Sequence, residues 1–185
     1  MGRAFLRLLG LIALLVAPAA GAEPSREYAI KAAFLYKFGD YVDWPPSVFT
    51  SPDSPFFVCV IGTDPFGAVL DDLARGERAA GHPIVIKRAA TLDESTGCHV
   101  AYVSAADKTF AQSLGSVAGK PVLTVTDGVD ELGPHGIVNF IIRDNRVRFD
   151  IDTRLTAESG LTISSKLLSV AAMVRVSDNA KENAP

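Results

Sequence analysis

Two cysteines constrain this chain more than any other feature: Cys59 in "FFVCVIG" and Cys98 in "GCHVAYVS", each inside a short apolar run. A buried free cysteine is most often a small core residue, so the compartment decides what the pair does. Arg3 and Arg7 give a positive start, "LLGLIALLVA" (8–17) is an apolar block, and Ala20-Gly21-Ala22 offers the small residues of a cleavage site. The block falls short of the roughly 17–25 residues that a membrane helix needs. Residues 1–22 therefore read as a cleaved secretory signal. The mature chain from Glu23 then does not span the membrane and folds in an oxidising space, where two cysteines predict one disulfide. Joining Cys59 to Cys98 closes a loop of about 40 residues, worth about 4 kcal/mol on chain-entropy grounds. A structural staple is the first reading and a redox-responsive bond the second.

What remains after the leader is enough for one domain with its own core, residues 23–176, followed by a polar tail "SDNAKENAP" over 177–185 that reads as frayed. The whole chain holds 18 basic against 21 acidic residues, and two of the basic ones leave with the signal. An acidic balance without basic runs excludes a nucleic-acid footprint.

Periodicity supplies the elements. "REYAIKAAFLYKFGDYVDW" (26–44) reads as a helix with Ile30, Ala33, Phe34, Phe38, Tyr41 and Val42 on one face, stopped by Pro45-Pro46. Leu35, Tyr36 and Trp44 fall off that stripe. The aromatic residues of this segment, Phe34, Tyr36, Tyr41 and Trp44, are the candidates for anchoring a protein partner. "FFVCVI" reads as a strand leading through Gly62-Thr63-Asp64-Pro65 into a helix closed by Gly76, with Asp64 as its cap. "HPIVIKRA", "HVAYVS" and "KPVLTVTD" read as further strands, with a helix in "AADKTFAQSLGSV". "GIVNFIIRDNRVRFDID" reads as a hairpin turning at Asp144-Asn145, its second strand alternating Val147, Phe149 and Ile151 with an exposed charged face that includes Asp150 and Asp152. "SSKLLSVAAMVRV" reads as a last helix capped by Ser164 or Ser165, with Leu167, Val170, Ala171 and Val174 on one face. The sum is an α/β fold: a single domain with a central mixed sheet flanked by helices, an N-terminal helix, and a C-terminal β-hairpin plus helix.

Chemistry is harder to find. Gly62 and Gly67 make G-x-x-x-x-G, but Ala68 and Val69 stand where a phosphate loop needs lysine and a hydroxyl. His82, His99 and His135 show no metal-ligand spacing, and no serine elbow or paired carboxylates across a cleft appear. The chain reads as a protein without catalytic residues, metal or cofactor. Ligands of α/β folds bind at the carboxyl ends of strands, which here makes Gly62, Thr63, Asp64 and Ser104 the candidate small-ligand positions.

The ordered set "IKAAFLYKFGDYVDWP", "FVCVIGTDPFG", "GHPIVIKR", "CHVAYVS", "VLTVTD", "GIVNFIIRDNRVRFDID" and "GLTISSKLLSVA" resembles the YfiR family of periplasmic regulators, from about Tyr28 to Val174. The resemblance implies a small, often homodimeric α/β protein that represses an inner-membrane diguanylate cyclase by binding its periplasmic region. It thereby implies control of cyclic-di-GMP and biofilm formation, with an outer-membrane lipoprotein as a second partner that sequesters the inhibitor. Cys59 and Cys98 fall where a family disulfide is expected, whereas the second disulfide of some relatives has no cysteines here. The alternative reading is a periplasmic small-ligand sensor or carrier subunit serving another membrane receptor, such as a histidine kinase.

Overall fold

The computed structural model describes residues 25–93, 96–130 and 132–176. The leader and the tail assigned from the sequence lie outside the described residues. In chain order the elements are α1 (Arg26–Lys37), a 3-10 turn (Phe38–Tyr41), β1 (Val42–Asp43), β2 (Phe56–Ile61), α2 (Ala68–Ala74), β3 (Arg78–Ala79), β4 (His82–Ala89), β5 (Val100–Val103), α3 (Phe110–Ser116), β6 (Leu123–Asp127), β7 (Val138–Arg143), β8 (Arg146–Asp152), α4 (Thr153–Glu158), β9 (Thr162–Ile163), α5 (Ser165–Val170) and β10 (Met173–Arg175). Eight strands form one mixed sheet in the order β10-β8-β7-β6-β5-β2-β4-β3, and β1 pairs separately with β9.

The middle of the sheet is parallel, which requires helices on both faces and explains why its strands are apolar runs rather than alternations. Phe56, Val58, Val60, Val100 and Tyr102 point into the larger core, under α1 and α2. Their neighbours Cys59, Ile61, Ala101 and Val103 point into a smaller one, closed by Phe110, Leu114 and Val117. The hairpin forms as expected, its tip residues Asp144 and Asn145 both left-handed at φ 50° and 55°.

Four expectations are corrected. The first helix ends at Lys37 rather than Trp44, and its buried face is Lys31, Ala32 and Leu35, continued by Phe38 in the turn, not the stripe through Ile30 and Phe34. The chain leaves the helix because Gly39 lies flat on Phe56: a Cβ there would come 2.7 Å from Phe56 Cζ and 2.8 Å from Ala79 Cβ. Trp44 Nε1 donates to the Gly39 carbonyl at 3.1 Å, satisfying an acceptor that the helix no longer serves. Gly39→Ala is expected to lower stability by about 1–3 kcal/mol through this overpacking, as urea denaturation will read.

The second correction concerns the last helix, which stops at Val170; Met173–Arg175 continue as an edge strand parallel to β8. Ser164 does cap α5, accepting from Leu167 N. The third follows from the second. Asp150 and Asp152 are buried, at 3% and 6% exposure, not on an open charged face. β10 brings Arg175 to Asp150 at 3.2 Å. Asp152 instead accepts from Leu155 N at 2.9 Å as the cap of α4, and meets His135 Nε2 at 3.2 Å. Burial works to raise the Asp152 carboxyl's pKa, but that amide, His135 and Arg154 outweigh it and hold it below the ordinary value. Asp64, too, acts one turn early: it accepts from Phe66 N and Gly67 N ahead of α2.

Candidate functional site

With Leu35 and Lys31 turned inward, the other apolar stripe of α1 is left facing outward. Ile30, Ala33, Phe34 and Tyr41 form one wall of a cleft of about 700 Å³, and Leu167 and Val170 of α5 form the other. A second cleft of about 500 Å³ shares Arg26, Ile30 and Phe34 with the first and runs on to Ile142, Arg146 and Val147 of the hairpin. Together they make one apolar groove along α1. Ile30, Tyr41, Ile142 and Val170, all substantially exposed large hydrophobic residues, line it. Single exposed apolar residues are ordinary, whereas a contiguous set rimmed by charge marks an interaction surface.

The rim is mainly cationic. Arg26, Lys37, Arg146 and Lys166 edge the groove, with Glu27 beside Arg26. Lys37 bonds Glu77 at 2.7 Å, a contact that raises its pKa. Arg26, Arg146 and Lys166 make no ion pair among the described residues. The floor is anchored rather than loose, because the Phe34 ring packs against Phe149 and Phe140 at 5.4 and 6.3 Å between centroids. Carbon walls between cationic ends match the two faces of an amphipathic segment.

The four aromatic residues singled out from the sequence do not meet. Phe34 and Tyr41 stand in the groove. Tyr36 lies beneath Lys37 Nζ, 4.8 Å from its ring, and packs against the main core. Trp44 is set edge-on to Phe56 and His99 at 5.2 and 5.8 Å, beside a different cleft shared with Phe49 and His82. The sequence reading missed Ile30, Ala33 and Val170 as surface because it counted them as core, whereas Leu167, also read as core, is buried where it borders the cleft. The available signal was that α1 carries two apolar stripes while one sheet covers only one of them.

The candidate ligand positions come together at the ends of β2 and β5, with Ser104 N donating to Ile61 O at 3.0 Å. Several of their polar groups are engaged by the protein. Asp107 packs over Gly62 (φ 77°), so closely that a Cβ would lie 2.9 Å from its carboxylate, and Asp64 pairs with Arg88 at 2.7 Å. Cys59 and Cys98 form a disulfide with their Cα atoms 5.9 Å apart, tying β2 to the residue just before His99 and β5. Among the described residues no helix is long and apolar enough to cross a membrane.

A family model described as YfiR/HmsC-like matches residues 28–172, from the first turn of α1 to just past α5. No curated protein matches the chain.

Proposed function

The chain belongs to the YfiR/HmsC-like family, and on that premise we propose that it is a non-enzymatic periplasmic regulator that docks on the periplasmic sensor region of an inner-membrane diguanylate cyclase and holds the enzyme inactive. Output is then cyclic-di-GMP and, downstream, biofilm formation. The observation that carries the reading is the α1–α5 groove, an apolar trough with cations at its edge. Its occupant is an amphipathic helix of the cyclase, with apolar residues at i, i+3, i+4 and i+7 on the face laid into the groove and carboxylates flanking that face. An outer-membrane lipoprotein, or a second copy of the chain in a homodimer, would compete for the same surface.

Binding of the cyclase's periplasmic segment to the mature protein tests this. Ile30→Glu and Val170→Glu change residues that are already 39% and 52% exposed, so the fold is retained. Each is expected to weaken binding at least about 30-fold, the size of an interface hot spot. Charge reversal at Arg26 and Lys166 is expected to slow association and flatten its salt dependence. Unchanged affinity in both glutamate variants refutes the groove, and no binding by the wild type refutes the partner.

A small-ligand sensor for another receptor is favoured by one observation, the cleft volume of about 700 Å³, which lies in the range of ligand sites. A thermal shift with one metabolite class, and no protein partner, would select that reading.

A further inference from the structure

The loop from Pro45 to Ser54 is held to the sheet by two histidines with one aromatic ring between them. Phe49 stacks on His82 at 3.8 Å between centroids and 6° between planes, and on His99 at 4.9 Å on its other side. His82 Nδ1–H donates to the Ser54 carbonyl at 2.7 Å. His99 is 6% exposed and does more. Its Nδ1 accepts from Phe57 N at 3.0 Å, the ring is hydrogen-bonded to the Val48 backbone, and it lies against Phe56 at 4.7 Å.

The two histidines respond differently to a proton. His82 bonds as a donor and keeps its bond when protonated. His99 bonds Phe57 as an acceptor, and a proton on that nitrogen turns an N–H toward an N–H. Burial discourages this most, and the charges of His82 and Lys87 from β4 add to it, while the bond to the Val48 backbone works the other way; Asp93 and Lys120 line the cleft beside Cys98.

We propose that His99 is a proton-operated latch: protonation of Nδ1 frees the Pro45–Ser54 loop and slackens the 3-10 turn that carries Phe38 and Tyr41 into the groove. Two contacts make the link. His99 meets Trp44, whose Nε1 holds the Gly39 carbonyl, and His99 stacks on Phe56, against which Gly39 itself is pressed. Acid outside the cell would thereby loosen the surface on which the regulator grips its partner. The latch stands on its own geometry, and only its effect on binding rests on the docking reading.

Burial lowers the His99 pKa from 6.5 to about 4 in the closed state. A group with a depressed folded pKa favours the closed state above 6.5 and loses that contribution as pH falls toward 4. The open fraction therefore rises by about 300-fold at the limit, from well above 6.5 to well below 4. Trp44, the single tryptophan of the chain, reports on the latch through its emission, and amide exchange of residues 38–54, corrected for intrinsic rates, reports on the segment. Between about pH 7 and about pH 4.5 the wild type is expected to show a Trp44 emission change and at least a tenfold rise in exchange. His99→Asn keeps an oxygen acceptor for Phe57 N–H but does not titrate, so its response should be flat, while His82→Gln should retain the wild-type response. The same acid response in His99→Asn, or none in the wild type, overturns the proposal. Should His99→Asn fail to fold, ring titration of the wild type by NMR decides: a midpoint well below 6.5 supports the latch and one at or above 6.5 overturns it. Binding of the cyclase segment at both pH values separates the two ideas. Absence of binding at neutral pH sinks docking while exchange still judges the latch, and binding that acid leaves unchanged overturns the latch's hold on the groove.

Discussion

Lys31→Ala is expected to cost the fold about 3–5 kcal/mol, the penalty for removing one member of a buried ion pair. Lys31 is 2% exposed, and its Nζ bonds both carboxylate oxygens of Asp127 at 2.7 Å, as well as Glu27, while standing 4.7 Å above the Tyr28 ring. Asp127 is the last residue of β6 and itself largely covered, so the alanine variant leaves a carboxylate with little water to replace the ammonium. Burial works to lower the Lys31 pKa, but the bonds to Asp127 and Glu27 outweigh it and raise the value above 10.5. Stability from a raised pKa is complete below the unfolded value and is lost as pH climbs through the folded one. The gap between wild type and variant should therefore hold through neutral pH and close only in alkali. Replacing both partners, as Lys31→Met with Asp127→Asn, should recover at least half of the loss, because no uncompensated charge remains. Urea denaturation of the single and double variants measures all of this. A single-variant cost below about 1 kcal/mol would place the pair with ordinary surface ion pairs. The pin has a functional side as well, since the helix it fixes to β6 is the one that carries Ile30, Ala33 and Phe34 in the groove.

That same lysine explains most of what the sequence reading got wrong. A charge in a helix is counted outward by default, so Lys31 pulled the inferred core face of α1 around to Ile30 and Phe34. Its true partner lies 96 positions away, on a strand, where no local pattern could show it. Tertiary pairing hid β10 in the same manner. "MVRV" is too short for periodicity to separate strand from helix, and it becomes a strand because β8 offers an open edge and Asp150 offers Arg175 a buried partner. What was legible rests on local chemistry. Apolar runs marked the parallel strands, Asp144-Asn145 marked the hairpin, and Ser164 marked the start of α5. The groove was half legible: Phe34 and Tyr41 were named as contact residues, but their companions were assigned to a core that lies on the other side of the helix.

Removing the Cys59–Cys98 bond as the double variant Cys59→Ala/Cys98→Ala is expected to lower stability by about 2–5 kcal/mol. Alanine is the right replacement, since Cys59 is fully buried and Cys98 is 7% exposed in an apolar cluster with Ile61, Leu92 and Val117. A serine there would add an unsatisfied hydroxyl and inflate the cost. The bond ties the middle of β2 to the chain just ahead of β5, where Val58 already pairs with Val100 and Cys59 with Ala101. In the folded state it therefore duplicates a register that backbone hydrogen bonds already fix. Its contribution comes from the unfolded chain, which it deprives of freedom across 39 positions. Two consequences separate a staple from a responsive bond. For a staple, the variant loses stability in denaturant yet binds the cyclase segment with wild-type affinity well below its melting temperature, because β2 and β5 keep their register. For a responsive bond, stability moves by less than about 1 kcal/mol while affinity falls, because the change then acts on the folded surface and not on the unfolded chain. The geometry favours the first outcome: the sulfurs sit in the smaller core, on the face of the sheet opposite α1, and the groove is walled by α1, the 3-10 turn after it, α5 and the hairpin, none of which the bond joins.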